Sequence, residues 1–95
     1  MATVQLRRYE IENGQMEPFL RYWRELIEQR EVFGFRVVFS YVDVTNNELV
    51  WAVEHDGDFA AAEDEYFNSA ERAATLVGAP RVMKGVKIGM ATRIM

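Results

Sequence analysis

Apolar positions recur with two different periods along this chain, and each change of period falls at a turn residue. Thr3 to Glu12 alternates imperfectly, with Val4 and Leu6 on one face and Tyr9 and Ile11 on the other. Apolar residues on both faces predict a central strand. Asn13-Gly14 ends it. From Gln15 to Phe33 the period changes: Phe19, Leu20, Trp23, Leu26 and Ile27 follow Met16 at offsets of 3, 4, 7, 10 and 11. That is the stripe of an amphipathic helix. Pro18 suits the first turn, where its missing N–H is no loss, and Gly34 stands where a left-handed residue ends a helix. Glu17/Arg21 and Arg24/Glu28 are i,i+4 pairs on the wet face.

"FRVVFSYVD", Phe35 to Asp43, is rich in β-branched and aromatic residues and predicts a second strand. "TNNE" follows, and Asn46-Asn47 tolerates a positive φ, so a tight hairpin into "LVWAVEH" is expected. Asp56-Gly57-Asp58 ends the third strand and opens a helix from Phe59 to Phe67. Asn68-Ser69 interrupts it; Asn68 with Glu71 is expected to recap a further segment, Ala70 to Val77, closed by Gly78 and Pro80. Val82 to Ile94 predicts the last strand, with Val86, Ile88 and Met90 on one face and the small Gly85, Gly89 and Ala91 on the other.

The order β-α-β-β-α-β is that of an α+β, ferredoxin-like fold, a four-stranded antiparallel sheet with two helices on one face. The uncovered face would carry Tyr9 and one of two rows, Phe35/Val37/Phe39/Tyr41 or Val38/Val42. Beside it would lie Leu49/Trp51/Val53 or Val50/Ala52. Either choice exposes an apolar, aromatic surface. Two such sheets facing across a two-fold axis would cover it, so a homodimer is expected.

Composition narrows the function classes. The 95 residues suit a single domain, 1–95. Cysteine is absent, which removes disulfides, thiolate nucleophiles and Cys-based zinc sites and fits a reducing, cytoplasmic location. "MATVQLRRYE" has no apolar core of a signal peptide, and no apolar run is long enough to span a membrane. A net charge of −4 argues against nucleic acid as a partner. The acids of "HDGDF" and Glu63 to Glu65 lack metal-loop spacing and suit helix starts, and one histidine excludes multi-His metal sites. No cofactor is expected.

Three stretches together resemble one family. "LRRYEIENGQMEPFLRYW" resembles the opening of NIPSNAP-like proteins, a strand ending in Arg-Tyr that runs through a Gly into an amphipathic helix. "FGFRVVFSYVDVTNNELVWAVEHDGDF" resembles their central hairpin, and "EYFNSAERAA" their second helix. The resemblance covers Leu6 to Ala74. It implies the dimeric α/β barrel, two ferredoxin-like halves with facing sheets. That superfamily includes cofactor-free monooxygenases, haem-degrading monooxygenases, lactone isomerases and members with no known reaction.

The candidate residues follow from these elements. His55, beside Glu54, Asp56 and Asp58, is placed to be a general base, a haem ligand or a partly exposed strand-end residue. Arg7, Tyr9, Tyr41, Trp51 and Lys87 would line a cavity if they share one sheet face, the cations holding an anionic or enolate oxygen and a tyrosine giving a proton. Tyr66 and Arg72 lie in the family-like helix stretch; Arg72 either binds a ligand carboxylate or pairs with Glu65 or Glu71. Two functions fit. One is a cofactor-independent enzyme or binder of a small hydrophobic or aromatic molecule, monooxygenase-like or isomerase-like, with His55, Arg7 and Tyr9 at its centre. The other is a dimeric structural or regulatory module with no reaction. An enclosed cavity with converging polar groups separates the two.

Overall fold

The strands and helices fall where the two periods place them: β1 (Thr3–Ile11), α1 (Met16–Val32), β2 (Arg36–Asp43), β3 (Glu48–His55), α2 (Phe59–Phe67), α3 (Ala70–Val77) and β4 (Met83–Ala91). The computed structural model describes residues 2–77 and 79–95. Gly78, expected to close α3, lies outside the described residues. β4 ends at Ala91, short of the expected Ile94. The sheet is antiparallel throughout, in the order β2-β3-β1-β4. With one dimension of only 17 Å, the molecule is two layers thick and one sheet face is bare.

Local chemistry explains the corners. Gly14 takes φ 77 in the turn between β1 and α1. Gly34, at φ 90, ends α1 and donates its N–H to the Glu31 carbonyl at 3.0 Å. Asp58 caps α2 by accepting from the Ala61 N–H at 3.0 Å. The interruption after Phe67 is present, but its cap is Ser69 and not Asn68. The Ser69 hydroxyl accepts from the Arg72 N–H at 3.2 Å, while Asn68 donates back to the Asp64 carbonyl at 2.9 Å.

On β1 the residues Gln5, Arg7, Tyr9 and Ile11 face the helices and are buried. Tyr9 was expected on the uncovered face. It lies instead in the core, with its ring 5.9 Å from Phe19 of α1 and 6.1 Å from Trp51. On β3 the helix-facing row is Leu49, Trp51 and Val53. β2 follows neither expected row. A bulge between Val37 and Phe39 shifts the register, so Val37 pairs with Val53 while Phe39 pairs with Ala52 and Tyr41 with Val50. The bare face therefore carries Leu6, Phe39, Tyr41, Val50 and Ala52, with Tyr41 69% exposed.

The β2–β3 loop is tied to the rest by one side chain. Asn47 sits at φ 54, and its amide donates to the Ile11 carbonyl at 2.7 Å and the Glu12 carbonyl at 3.2 Å. Its own carbonyl accepts from the Ile11 N–H at 3.1 Å. Asn47→Gly keeps the backbone conformation and loses only the amide bonds, so it is expected to cost about 1 kcal/mol. Asn47→Ala must also adopt the left-handed region and is expected to cost about 1 kcal/mol more. Urea unfolding of the two variants measures both; equal losses would mean that backbone conformation contributes nothing there.

Candidate functional site

The helix layer does not cover the whole sheet. The helix-side row of β4, Val86, Ile88 and Met90, remains about half exposed at 49%, 51% and 59%. Between this strand, β1, β3 and the three helices lies a cavity of about 230 Å³. Arg7, Tyr9 and Trp51 form its sheet side, and Trp23, Arg30, Tyr66 and Arg72 line it from the helices. Leu76, Val86 and Ile88 add apolar surface, all at least 40% exposed.

Arg7 is 8% exposed, and each of its three side-chain nitrogens has an acceptor. Its Nε donates to Gln5 Oε1 at 2.8 Å, one Nη to the Tyr9 hydroxyl at 2.8 Å and the other to Glu63 Oε2 at 3.2 Å. Tyr9 thus accepts from Arg7 and keeps its own O–H free to donate.

Arg30 is buried more deeply, at 5%, on the same stripe of α1 as Trp23. Its guanidinium lies 4.7 Å from the Tyr66 ring centre, 5.3 Å from Phe35 and 5.7 Å from Trp51. Its Nη1 is 3.9 Å from Glu63 Oε2, within ion-pair range and past hydrogen-bond range. Arg30 Nη1, Trp23 Nε1 and Trp51 Nε1 are buried donors without a hydrogen-bond partner among the described residues. Burial first, and then the charge of Arg7, pull the Arg30 pKa down to about 10, so the group stays charged at neutral pH.

Arg72 stacks on Phe67 at 4.6 Å and on Tyr66 at 5.6 Å. Among the described residues it has no carboxylate partner, so the pairing with Glu65 or Glu71 is not made. Three arginines thus line the cavity, and no carboxylate is among its described lining residues. Burial raises the pKa of Tyr22 and of Tyr66 against the opposing pull of nearby arginines. Both phenols stay protonated at neutral pH and act as proton donors, not bases.

Five of the sequence-derived candidates meet here: Arg7, Tyr9, Trp51, Tyr66 and Arg72. Three do not. Tyr41 and Lys87 pair with Val50 and Arg8 on the bare face of the sheet, so the five strand residues do not share one face. His55 ends β3 outside the cavity lining, and both its ring nitrogens are engaged by backbone. Nδ1 accepts from the Gly57 N–H at 2.9 Å, which leaves the proton on Nε2 to donate to the Phe33 carbonyl at 2.9 Å. The acids around it are also in use: Asp56 and Glu54 accept from Arg36, and Asp58 caps α2. Sequence reasoning missed Arg30, Trp23 and Glu63 as site residues. Arg30 had a signal, since it stands at offset 14 from Met16, the next position of an otherwise apolar stripe.

The two buried arginines should respond differently to removal. Arg7→Met strips Glu63 of its hydrogen-bonded partner and is expected to cost about 3 kcal/mol. Arg30→Met removes a desolvated charge that lacks a full set of acceptors. Desolvation of an ion outweighs contacts with rings, so this variant is expected to gain about 1 kcal/mol, a thermal midpoint higher by about 4–8 °C. Calorimetry of both variants tests this; a lower midpoint for Arg30→Met would make Arg30 a structural residue.

No family model matches the sequence, and none of the curated proteins does. Solved structures do match in fold. A NIPSNAP domain protein from Burkholderia xenovorans superposes with TM-score 0.83 at 18% identity, over 99% of this chain and 95% of that one. A NIPSNAP family protein from Agrobacterium tumefaciens gives TM-score 0.83 at 16% identity, over 99% and 94%. A protein from Bacteroides thetaiotaomicron that bears the name of an antibiotic biosynthesis monooxygenase gives 0.73 at 18%, over 99% and 90%. This chain has the ferredoxin-like fold of NIPSNAP proteins, as its strand–Gly–helix opening and central hairpin implied.

Proposed function

We propose that this is a NIPSNAP-like protein that takes a small aromatic molecule into the cavity between sheet and helices, acts on it without a cofactor, and works as a homodimer. The observation that carries this reading is the cavity itself, ringed by aromatic side chains and three arginines. Pockets for drug-sized ligands run to roughly 300–1,000 Å³, so about 230 Å³ favours a body of one or two rings. Trp23, Trp51 and Tyr66 supply flat apolar walls. Arg30, Arg7 and Arg72 would stabilise an oxyanion as it develops, and Tyr9, Tyr22 or Tyr66 would return a proton. No described lining residue is a carboxylate or an imidazole, so the set suits a substrate that arrives already ionised, its anion then being reprotonated at another carbon in an isomerisation or, with dioxygen as co-substrate, oxygenated. The name of the Bacteroides fold neighbour is a precedent for the second.

The homodimer reading is supported by the bare sheet face, where Leu6, Phe39, Tyr41 and Val50 meet solvent in a two-layer molecule. A module without a ligand would use the same face, but it gives no reason to bury two arginines beneath the helices.

Native mass spectrometry of the purified protein tests both parts. The expected mass is near twice 11.0 kDa, with added mass from a retained aromatic molecule. Tyr41→Asp and Leu6→Asp are each expected to yield monomers with unchanged far-ultraviolet circular dichroism. A wild-type monomer would remove the dimer. A dimer whose tryptophan emission ignores every small aromatic compound offered would remove the cavity reading and leave the module.

A further inference from the structure

The cavity has an imbalance of hydrogen-bonding groups that goes further than its size and aromatic walls. Arg30 Nη1, Trp23 Nε1 and Trp51 Nε1 are N–H groups that can only donate, all three belong to lining residues, and none has an acceptor among the described residues. A buried donor left unpaired is costly, and a buried guanidinium more so. The charge points the same way. Glu63 Oε2, the carboxylate oxygen in ion-pair range of the lining arginines, is shared by Arg7 at 3.2 Å and Arg30 at 3.9 Å, and Arg72 has rings under it instead of an acid. Resting on the cavity as a binding site, we infer that its ligand is an anion whose negative oxygen, a carboxylate or an enolate carried on the aromatic body, is held by the Arg30 guanidinium.

Glu63 then has a defined part. It holds Arg7 tightly and Arg30 loosely, so Arg30 is the guanidinium free to turn to an incoming oxyanion while Arg7 stays fixed by Gln5, Tyr9 and Glu63. Glu63 also competes with the ligand for the same positive field. Neutralising it should strengthen anion binding, and neutralising Arg30 should weaken it. Neither change should matter to an uncharged ligand of the same shape.

The chain has two tryptophans and both line the cavity, so intrinsic fluorescence reports directly on occupancy. The test titrates the protein with 2-naphthoate, with its neutral isostere 2-naphthamide, and with 4-nitrophenolate above its pKa as an enolate-like oxyanion. At least one anion is expected to bind about 10-fold or more tighter than the amide, and which one it is assigns the oxyanion as carboxylate or enolate-like. Arg30→Met is expected to weaken that anion about 10-fold or more and Glu63→Gln to tighten it, each leaving the amide within about 3-fold. Equal binding of anions and amide, or equal loss of both in Arg30→Met, would overturn the anion inference and leave the cavity reading standing. No binding of any of the three would overturn both. Should Arg30→Met fail to fold, the Glu63→Gln arm decides, since weaker anion binding there contradicts the inference.

Discussion

One carboxylate oxygen, Oε2 of Glu63 on α2, stands between two guanidinium groups buried under the helices, and the interior of this protein is arranged around that shortage. Two cations and one anion do not balance in a low dielectric. Arg7 takes the carboxylate together with Gln5 and Tyr9, which fixes β1 to α2 across the layer boundary. Arg30 receives aromatic faces instead. Rings compensate a charge only in part, and the remainder is the ground for the anion site inferred above. The residues that pack the interior and those that line the cavity are therefore largely the same. Trp23 and Trp51 join α1 to the sheet by an edge-to-face contact at 5.4 Å and also wall the cavity.

The helix layer explains why a cavity forms where it does. α1 and α2 bury Phe19, Arg30, Phe59, Ala62 and Tyr66, whereas α3 buries none of its residues. The helices thus cover β1 and β3 well and β4 poorly. The space opens on that side, beside Val86 and Ile88.

Most of the architecture could be read from the chain because each element has a strong local cause. The stripe from Met16 to Ile27, the Gly34 stop and the small-residue row of β4 are all properties of short segments. The site was harder to read because it depends on which way strands face. A single inserted residue in β2 sends Phe39 and Tyr41 to one side while Val37 goes to the other, and no local pattern announces it. That insertion, with Lys87 lying on the bare face, is why the five strand candidates separate. Arg30 was legible in principle, as a polar residue in an apolar stripe, yet its partners come from α2 and β3 and cannot be named from α1 alone.

The bulge has one more effect. β2 is an outer strand of the sheet, and an outer strand with a regular ladder of free N–H and C=O groups invites another chain to extend it without limit. An irregular edge refuses that template. On the opposite border, β4 carries Lys84 and Lys87, and its register with β1 is also broken, near Glu10. Both borders of the sheet are thus irregular, so in the dimer proposed above the bare face would meet one neighbour broadside while neither edge offers a regular ladder on which a third could build.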